Sequence, residues 1–334
     1  MATTKANNSE SKNTVKNQGK NIYQIVTDRI VDMMSQGIIP WQKPWTYAGG
    51  KDDDLRNCAI NYTTRKPYSM LNQWLLGFRP GEYLTYKQVT ALGGKVKKGA
   101  KAGMVVFWST WTMHDRKKRD EEGKPVVDDE GNEVVESVAT EHIMPVLKYY
   151  NVFHREDCEG IESKYPAEGE APEQYGGDPI EAAEDIMWQY VLREEKLTFQ
   201  CDKPTNNAYY QPSLDRVVVP MLSQYADPEE FYSTAFHELT HSTMTAYRCN
   251  RKEEGAVSHF GSEDYAREEL VAEMGSAMLC NIAGLDGKKA FKNSVAYIQG
   301  WMKALKKNPK WIVWAASRAE KAAKYIQFGP EATE

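Results

Sequence analysis

His237-Glu238-Leu239-Thr240-His241 decides how this chain is read. The stretch has the form H-E-x-x-H. On an α-helix, positions i and i+4 share a face about one turn apart, so both imidazoles can reach one metal ion. Glu238 follows the first histidine and can point at a water held there. Two neutral nitrogen ligands, an open coordination position and a nearby base are what a zinc hydrolase needs. With 6 histidines in 334 residues, chance supplies the pattern in roughly one such chain in a hundred, so two unrelated histidines are a poor account of it.

The neighbouring residues predict a helix around the motif. Asp227 is a good N-cap, Pro228 suits the first helical position, and Glu229 and Glu230 suit a helix N-terminus. Phe231, Ala235 and Leu239 recur at helical spacing as a buried stripe, with Ser233, His237, Thr240, His241 and Met244 on the neighbouring face. A third ligand is expected from a second helical stretch, Ser262 to about Ile282. There Glu269 and Glu273 stand four apart on one face, on a helix otherwise rich in Leu270, Val271, Met274, Ala277, Met278 and Leu279. A carboxylate among apolar neighbours is costly unless it is paired or binds metal. Glu269 is the expected ligand, and Glu273 is expected to orient a histidine through its second ring nitrogen; the swapped assignment stays open. Glu268 has no acidic partner at that spacing and is expected to point elsewhere.

Composition bounds the rest. The five cysteines, Cys58, Cys158, Cys201, Cys249 and Cys280, are scattered and form no C-x-x-C. That argues for a reducing cytoplasm and against a thiolate zinc site. Residues 1–19 are polar and are expected to form a disordered tail; no stretch approaches the length of a membrane span. The net charge of -5 conceals a basic excess from Lys20 to His114 and an acidic one from Asp120 to Asp185.

Local patterns give the organisation. Ile22 to Gln36 reads as an amphipathic helix ended by Gly37, with Pro40 and Pro44 holding Trp41 and Trp45 on an extended stretch. Ser69 to Gly77 reads as a short buried helix, and Thr85 can cap another from Tyr86 to Leu92. Met104 to Met113 and Ile143 to Phe153 read as paired strands, with the charged Asp115 to Glu141 region between them, which carries turn signals at Gly123 and Gly131, as a long, mobile hairpin arm. Acidic residues with Pro and Gly then mark a linker. Further on come a helix from Asp178-Pro179 to about Glu195, a strand at Leu197 to Cys201, a hairpin of Tyr209-Tyr210 with Val217-Val218-Val219, and helices near Lys288 to Lys306 and Pro309 to Gln327. The expected fold class is α+β with two domains, a mixed α/β module at 20–159 and a mostly helical domain with a small β-sheet at 178–334, joined by a linker at 160–177.

Phe236-His237-Glu238-Leu239-Thr240-His241 followed by Tyr265-Ala266-Arg267-Glu268-Glu269-Leu270-Val271-Ala272-Glu273 resembles the ArdC-type antirestriction proteins of plasmids, phages and other mobile elements. The front half agrees, through Ile22-Tyr23-Gln24-Ile25-Val26-Thr27-Asp28-Arg29-Ile30, Gly37-Ile38-Ile39-Pro40-Trp41-Gln42-Lys43-Pro44-Trp45, Thr85-Tyr86-Lys87-Gln88, Gly93-Gly94-Lys95-Val96-Lys97-Lys98-Gly99 and Tyr149-Tyr150-Asn151-Val152-Phe153. The likeness spans roughly residues 20–330. It implies an N-terminal domain that binds single-stranded DNA, a C-terminal zincin-like metallopeptidase domain with one Zn²⁺, and protection of incoming mobile DNA from restriction in the cytoplasm of a bacterial host.

Single-strand binding needs a positive groove for phosphates and flat side chains for stacking bases. The candidates for the first are Lys43, Arg56, Arg65, Lys66, Lys87, Lys95, Lys97, Lys98 and Lys101; those for the second are Trp41, Trp45, Tyr62, Tyr68, Tyr86, Trp108 and Trp111. No base-specific motif interrupts them, so contact is expected to tolerate any sequence. A fragment from about Lys20 to Glu159 is expected to bind by itself. In the C-terminal half, His237, His241 and Glu269 are expected to hold Zn²⁺ while Glu238 takes a proton from water as it attacks a peptide carbonyl. Tyr209, Tyr247 and His259 are the candidates for steadying the resulting oxyanion. The protein substrate has no sequence signature. The alternatives are a DNA-binding shield whose metal site is structural or idle, and hydrolysis of a non-peptide bond.

Overall fold

Asn21 opens the first helix, α1 (Ile22–Ser35), by accepting the Gln24 N–H on its side chain at 2.9 Å, and Gly37 ends it with a φ of +79°. The computed structural model describes residues 21–42, 58–119, 124–128, 133–165, 179–251, 263–286 and 295–333 of the chain. The expected tail at 1–19, most of the expected linker, and Lys43, Trp45, Arg56 and His259 lie outside the described residues.

The N-terminal half is built on a four-stranded sheet. Its order is β1 (Ala59–Asn61), β2 (Gly81–Thr85), β5 (Val135–His154), β4 (Gly103–Lys117), with β1 and β2 parallel and the other pairs antiparallel. Two short helices sit where the sequence puts them, α2 (Met70–Leu75) and α3 (Tyr86–Ala91). α3 starts with a capping box, in which Thr85 and Gln88 satisfy each other's backbone donors. A two-stranded ladder of β3 (Lys95–Val96) and β6 (Cys158–Glu159) closes this half. The arm between the long strands is paired as a hairpin, and only the bounds of the strands are corrected. The strands continue past Met113 as far as Lys117 and begin by Val135, and the isolated bridges Arg119↔Pro125 and Val127↔Glu133 carry the pairing further. Charged residues do not oppose strand formation when both faces of a hairpin meet water.

The C-terminal half holds α4 (Pro179–Arg193), a sheet ordered β7 (Thr198–Gln200), β9 (Arg216–Val218), β8 (Tyr209–Gln211), then α5 (Pro228–Ser242), α6 (Glu263–Ala283), α7 (Val295–Lys307) and α8 (Trp311–Phe328). β8 lies at an edge of its sheet. α6 packs against both α5 and α8, and its Leu270, Val271, Met274 and Ala277 are fully buried. No helix among the described residues is long and apolar enough to cross a membrane.

The architecture is α+β with two domains, yet its main core is continuous. Ile25, Val26 and Ile30 of α1, Trp41, and Met70 and Trp74 of α2 belong to the same buried cluster as Leu270 and Met274 of α6 and Ile312 and Ala316 of α8. Thr27 in α1 donates to the Pro309 carbonyl at 2.7 Å, and the Met70 N–H reaches Glu320 at 3.2 Å. Trp41 is the second correction. Instead of projecting from an extended stretch it sits in a 3-10 turn, 1% exposed, with its ring 6.0 Å from that of Trp74. A large flat ring next to a helix rich in apolar residues gains more from burial than it could from solvent.

Candidate metal centre

α5 presents His237 and His241 on one face, with their Nε2 atoms 3.2 Å apart. α6 packs beside it and brings Glu269, with Oε2 3.5 Å from His237 Nε2 and Oε1 3.5 Å from His241 Nε2. Among the described residues, these three form the one group able to offer a metal ion three protein ligands. The fit can be tested against the ion. Bonds of about 2.0–2.1 Å at tetrahedral angles put ligand atoms about 3.3 Å apart. The Nε2–Nε2 separation of 3.2 Å and the 3.5 Å contact of each nitrogen to its own carboxylate oxygen are of the size such an ion needs.

The close approach of the helices has a sequence cause. A Cβ at Gly275 on α6 would lie 2.6 Å from Thr240 Cγ2, so glycine is what lets α6 reach α5 at this height. Ser276 adds a hydrogen bond to the Ser233 carbonyl at 2.7 Å.

The other ring nitrogens also have carboxylates near them. Glu268 lies 3.5 Å from His241 Nδ1, and Glu273 lies 4.0 Å from His237 Nδ1. Glu268 thus does not point elsewhere. It is gripped by Arg251, whose Nη2 and Nε donate to its two oxygens at 2.7 and 3.1 Å. Arg251 is itself buried and caps α5 through the Thr240 carbonyl and the Thr243 hydroxyl. The spacing argument failed because it looked for a partner on α6 alone, whereas the groups that meet Glu268 come from outside that helix, His241 on α5 and Arg251. Burial disfavours charge on His241, but Glu268 and Glu269 overcome it and push this imidazole up to about 10. Burial likewise opposes charge on Glu269, and the two histidines outweigh it, holding this carboxyl far below its ordinary range. Both shifts express a site that favours positive charge between its carboxylates.

Glu238 faces the same space and is 8% exposed. Burial raises its pKa against the pull of His241 and His237, with Glu269 adding to the rise. The backbone N–H of Tyr210, on edge strand β8, donates to it. Sequence reasoning missed Tyr265, whose hydroxyl donates to Glu269 and whose pKa burial and that carboxylate push up to about 12. Its signal was available, since Tyr265, Glu269 and Glu273 repeat every four residues. The three oxyanion candidates fare differently. Tyr209 is exposed on the edge strand. Tyr247 donates to Asp215 at 2.7 Å, within a buried cluster where Arg248 grips Asp215 with two bonds and caps α5 at the Ser242 carbonyl.

The nucleic-acid candidates scatter more widely. Lys66, Lys87, Lys95, Lys97, Lys98 and Lys101 are exposed, and Lys97 donates to the Glu156 carbonyl. Arg65 is committed to the buried Glu82 and lies 4.8 Å over the Tyr165 ring. Tyr62 is buried under Lys164 and Tyr68 is half-buried, so neither offers an open face, while Tyr86 and Trp108 are exposed. Trp111 lies in β4, its side chain outside what the structure describes.

Two histidines one turn apart, a carboxylate from the next helix and a base beside an edge strand define a zincin-like metallopeptidase domain, and residues 189–318 match the family model of that description. Residues 20–153 match the N-terminal domain of anti-restriction factor ArdC. Both domains stand in the order of an ArdC-like antirestriction protein. Crystal structures of the antirestriction ArdC protein from plasmid R388 superpose at a TM-score of 0.60 without metal and 0.61 with Mn(II) bound, at 28% identity over 93% of this chain and 98% of that one. Two DNA primases TraC of Escherichia coli are 31% and 30% identical over 316 residues; the chain spans 20% and 27% of their lengths. The uncharacterized protein y4eC of Sinorhizobium fredii is 28% identical over 312 residues, 91% of each chain.

Proposed function

We propose that this chain binds single-stranded DNA and uses a zinc-dependent peptidase site to protect incoming mobile DNA from restriction. The observation that carries the peptidase half is the convergence of His237, His241 and Glu269, whose ligand atoms all lie within 4.8 Å of one another, with Glu238 facing them. These three residues would hold one zinc ion, with Glu268 and Glu273 fixing the ring orientations. When bound, zinc supplies Lewis acidity toward a carbonyl oxygen and toward water.

The chain's own groups do the rest. An extended peptide adds to the exposed edge of β8 by backbone pairing. Glu238, its pKa raised by burial, takes the proton of the water that attacks the scissile carbonyl and passes it to the leaving amine. Tyr265 stands at Glu269, placed to donate to the developing oxyanion in preference to the exposed Tyr209. The DNA half rests on the exposed Lys66, Lys87, Lys95, Lys97, Lys98 and Lys101, with Tyr86 and Trp108 as open rings. A second reading, a DNA-binding shield with an idle metal site, is favoured by one observation: Glu238 is only 8% exposed, which leaves little room for substrate.

A digestion assay with and without single-stranded DNA, comparing the native chain with Glu238→Gln, separates the two. Cleavage that disappears in Glu238→Gln while zinc content stays at one per chain supports the peptidase. DNA binding with no cleavage of any offered protein supports the shield.

A further inference from the structure

A cavity of about 330 Å³ lies where the two halves of the chain meet. Tyr23 of α1 and Trp108 of β4 form one side, and Lys310, Trp314, Ser317 and Arg318, at the start of and along α8, form the other. Val313, buried in the core, also lines it. Among the described residues, the lining holds three aromatic rings, two cations and no carboxylate. Tyr23 and Trp108 have their ring centres 6.3 Å apart and tilted by 56°, so they do not stack on each other. Trp108 is 49% exposed. The Lys310 ammonium is exposed and stands 5.6 Å from the Tyr23 ring. Arg318 lies 4.1 Å over the Trp314 ring, which holds that ring in place.

We infer that this cavity takes one unpaired nucleotide of single-stranded DNA, with the base against Trp108 and its phosphate at Lys310. The chemistry excludes the obvious alternatives. A cationic ligand would meet two positive side chains and no acid. A purely apolar ligand would leave the exposed Lys310 ammonium unused. A planar group bearing an anion uses the rings and the charges together, and that combination defines single-strand sites. A base inside a duplex cannot enter, because its faces are already covered by its neighbours. The inference rests on the single-strand reading above and changes its geography. The site is composite, and Lys310, Trp314 and Arg318 come from the metallopeptidase half. Arg267, two residues before Glu269, also lies 5.2 Å over the Trp314 ring, so the cavity adjoins the helix that carries the metal centre.

The test is fluorescence anisotropy of a labelled oligothymidylate with the full chain, across a salt series. Trp108→Ala should weaken binding about 5- to 100-fold. Lys310→Glu should weaken it and flatten the salt dependence by about 0.7 in log–log slope or more. Thermal melting of the same samples checks the fold, and if Trp108→Ala melts early, the exposed Lys310→Glu decides. A chain with Lys95, Lys97 and Lys98 all changed to Ala serves as the comparison. If that chain loses affinity while both cavity variants bind like the native protein, the inference is overturned and the single-strand reading stands. If the native chain binds no single-stranded DNA, the reading itself falls and the inference with it. If thymidine monophosphate displaces the oligomer at equal nucleotide concentration, the cavity serves a free nucleotide and the inference is overturned.

Discussion

Gly275→Ala tests the helix spacing on which the metal centre depends. An added Cβ would lie 2.6 Å from Thr240 Cγ2 and 2.8 Å from its Oγ1. Carbon atoms at rest stand about 3.5–4.0 Å apart, so something must yield by about 1 Å. Thr240 has little freedom, being fully buried with its hydroxyl donating to the Phe236 carbonyl at 2.7 Å. The separation of α5 and α6 therefore takes up the strain. Glu269 rides on one helix and both histidines on the other, so the contacts now at 3.5 Å open toward about 4.5 Å, well past the edge of about 3.3 Å that zinc prefers. Overpacking costs about 1–3 kcal/mol and replacing a helical glycine by alanine returns about 1 kcal/mol, leaving a net loss of about 0–2 kcal/mol. Zinc affinity is the sharper readout and should fall at least about tenfold. Competition against a chromophoric chelator measures the affinity, and melts of the metal-free protein measure stability. Thr240→Ala in the same chain removes both offending atoms and leaves only the 3.2 Å contact to Cβ. The double mutant should then bind zinc better than Gly275→Ala alone. Native zinc affinity in Gly275→Ala would refute the reasoning, since the helices would not then be held at this distance by the glycine.

Three further outcomes follow from the same structure. Glu269→Gln should abolish tight zinc binding and Glu273→Gln should weaken it about tenfold; a larger loss from Glu273→Gln, measured by the same titration, would exchange their roles. Arg251→Leu leaves the Glu268 carboxylate in the interior without its two-pronged partner, at a cost of about 3–5 kcal/mol in urea unfolding, and Arg251→Lys should recover little because one ammonium cannot make the two-pronged contact. Burial works to raise the Asp215 carboxyl, but hydrogen bonds from Arg248, Tyr247 and Tyr210 outweigh it and lower the group below its ordinary value. Its contribution is therefore complete above the unfolded pKa of about 3.9 and is lost as pH falls through the lower folded value. Asp215→Asn should cost stability at pH 7, and the gap to the native chain should narrow below about pH 4; a gap that persists unchanged at pH 2 would show that charge is not what Asp215 contributes.

The parts of the molecule that sequence made legible are those governed by local rules. The cap at Thr85 with Gln88, the stop at Gly37, Pro228 at the head of α5 and the β8–β9 hairpin all depend on residues within a few positions of one another. The pairing of His237 with His241 belongs to the same class, because one helix turn fixes it. What failed needed the meeting of distant elements. Glu268 looked idle until α6 lay beside α5 and Arg251 folded back to meet it. Arg248 and Asp215 are 33 positions apart and give no pattern in the sequence, yet they hold the end of α5. Trp41 looked like a ring for stacking because its own neighbours are prolines; only the arrival of Trp74 shows it to be core. The bounds of the long strands were set short for a related reason, since charge says that a segment is wet but not where its pairing stops.

The continuity of the core sets a limit on how the two halves can be separated. In chain order they look like modules joined near residue 165, and the matches to two family models support that division of sequence. In space, Ile25, Val26 and Ile30 of α1 are buried in one cluster with Leu270 and Met274 of α6 and with Ile312 of α8. Cutting the chain after Glu159 would expose that face of α1 together with Trp41 and Trp74, an apolar surface that soluble monomers avoid. The Thr27 bond to the Pro309 carbonyl and the Met70 bond to Glu320 would also lose their partners. A fragment of residues 20–159 is therefore a poor proxy for DNA binding by the intact chain. It lacks Lys310, Trp314 and Arg318, and it pays for its isolation in aggregation. Weak binding by such a fragment would say little about the N-terminal sheet itself, because α1 has its main hydrophobic partners in the half that was removed.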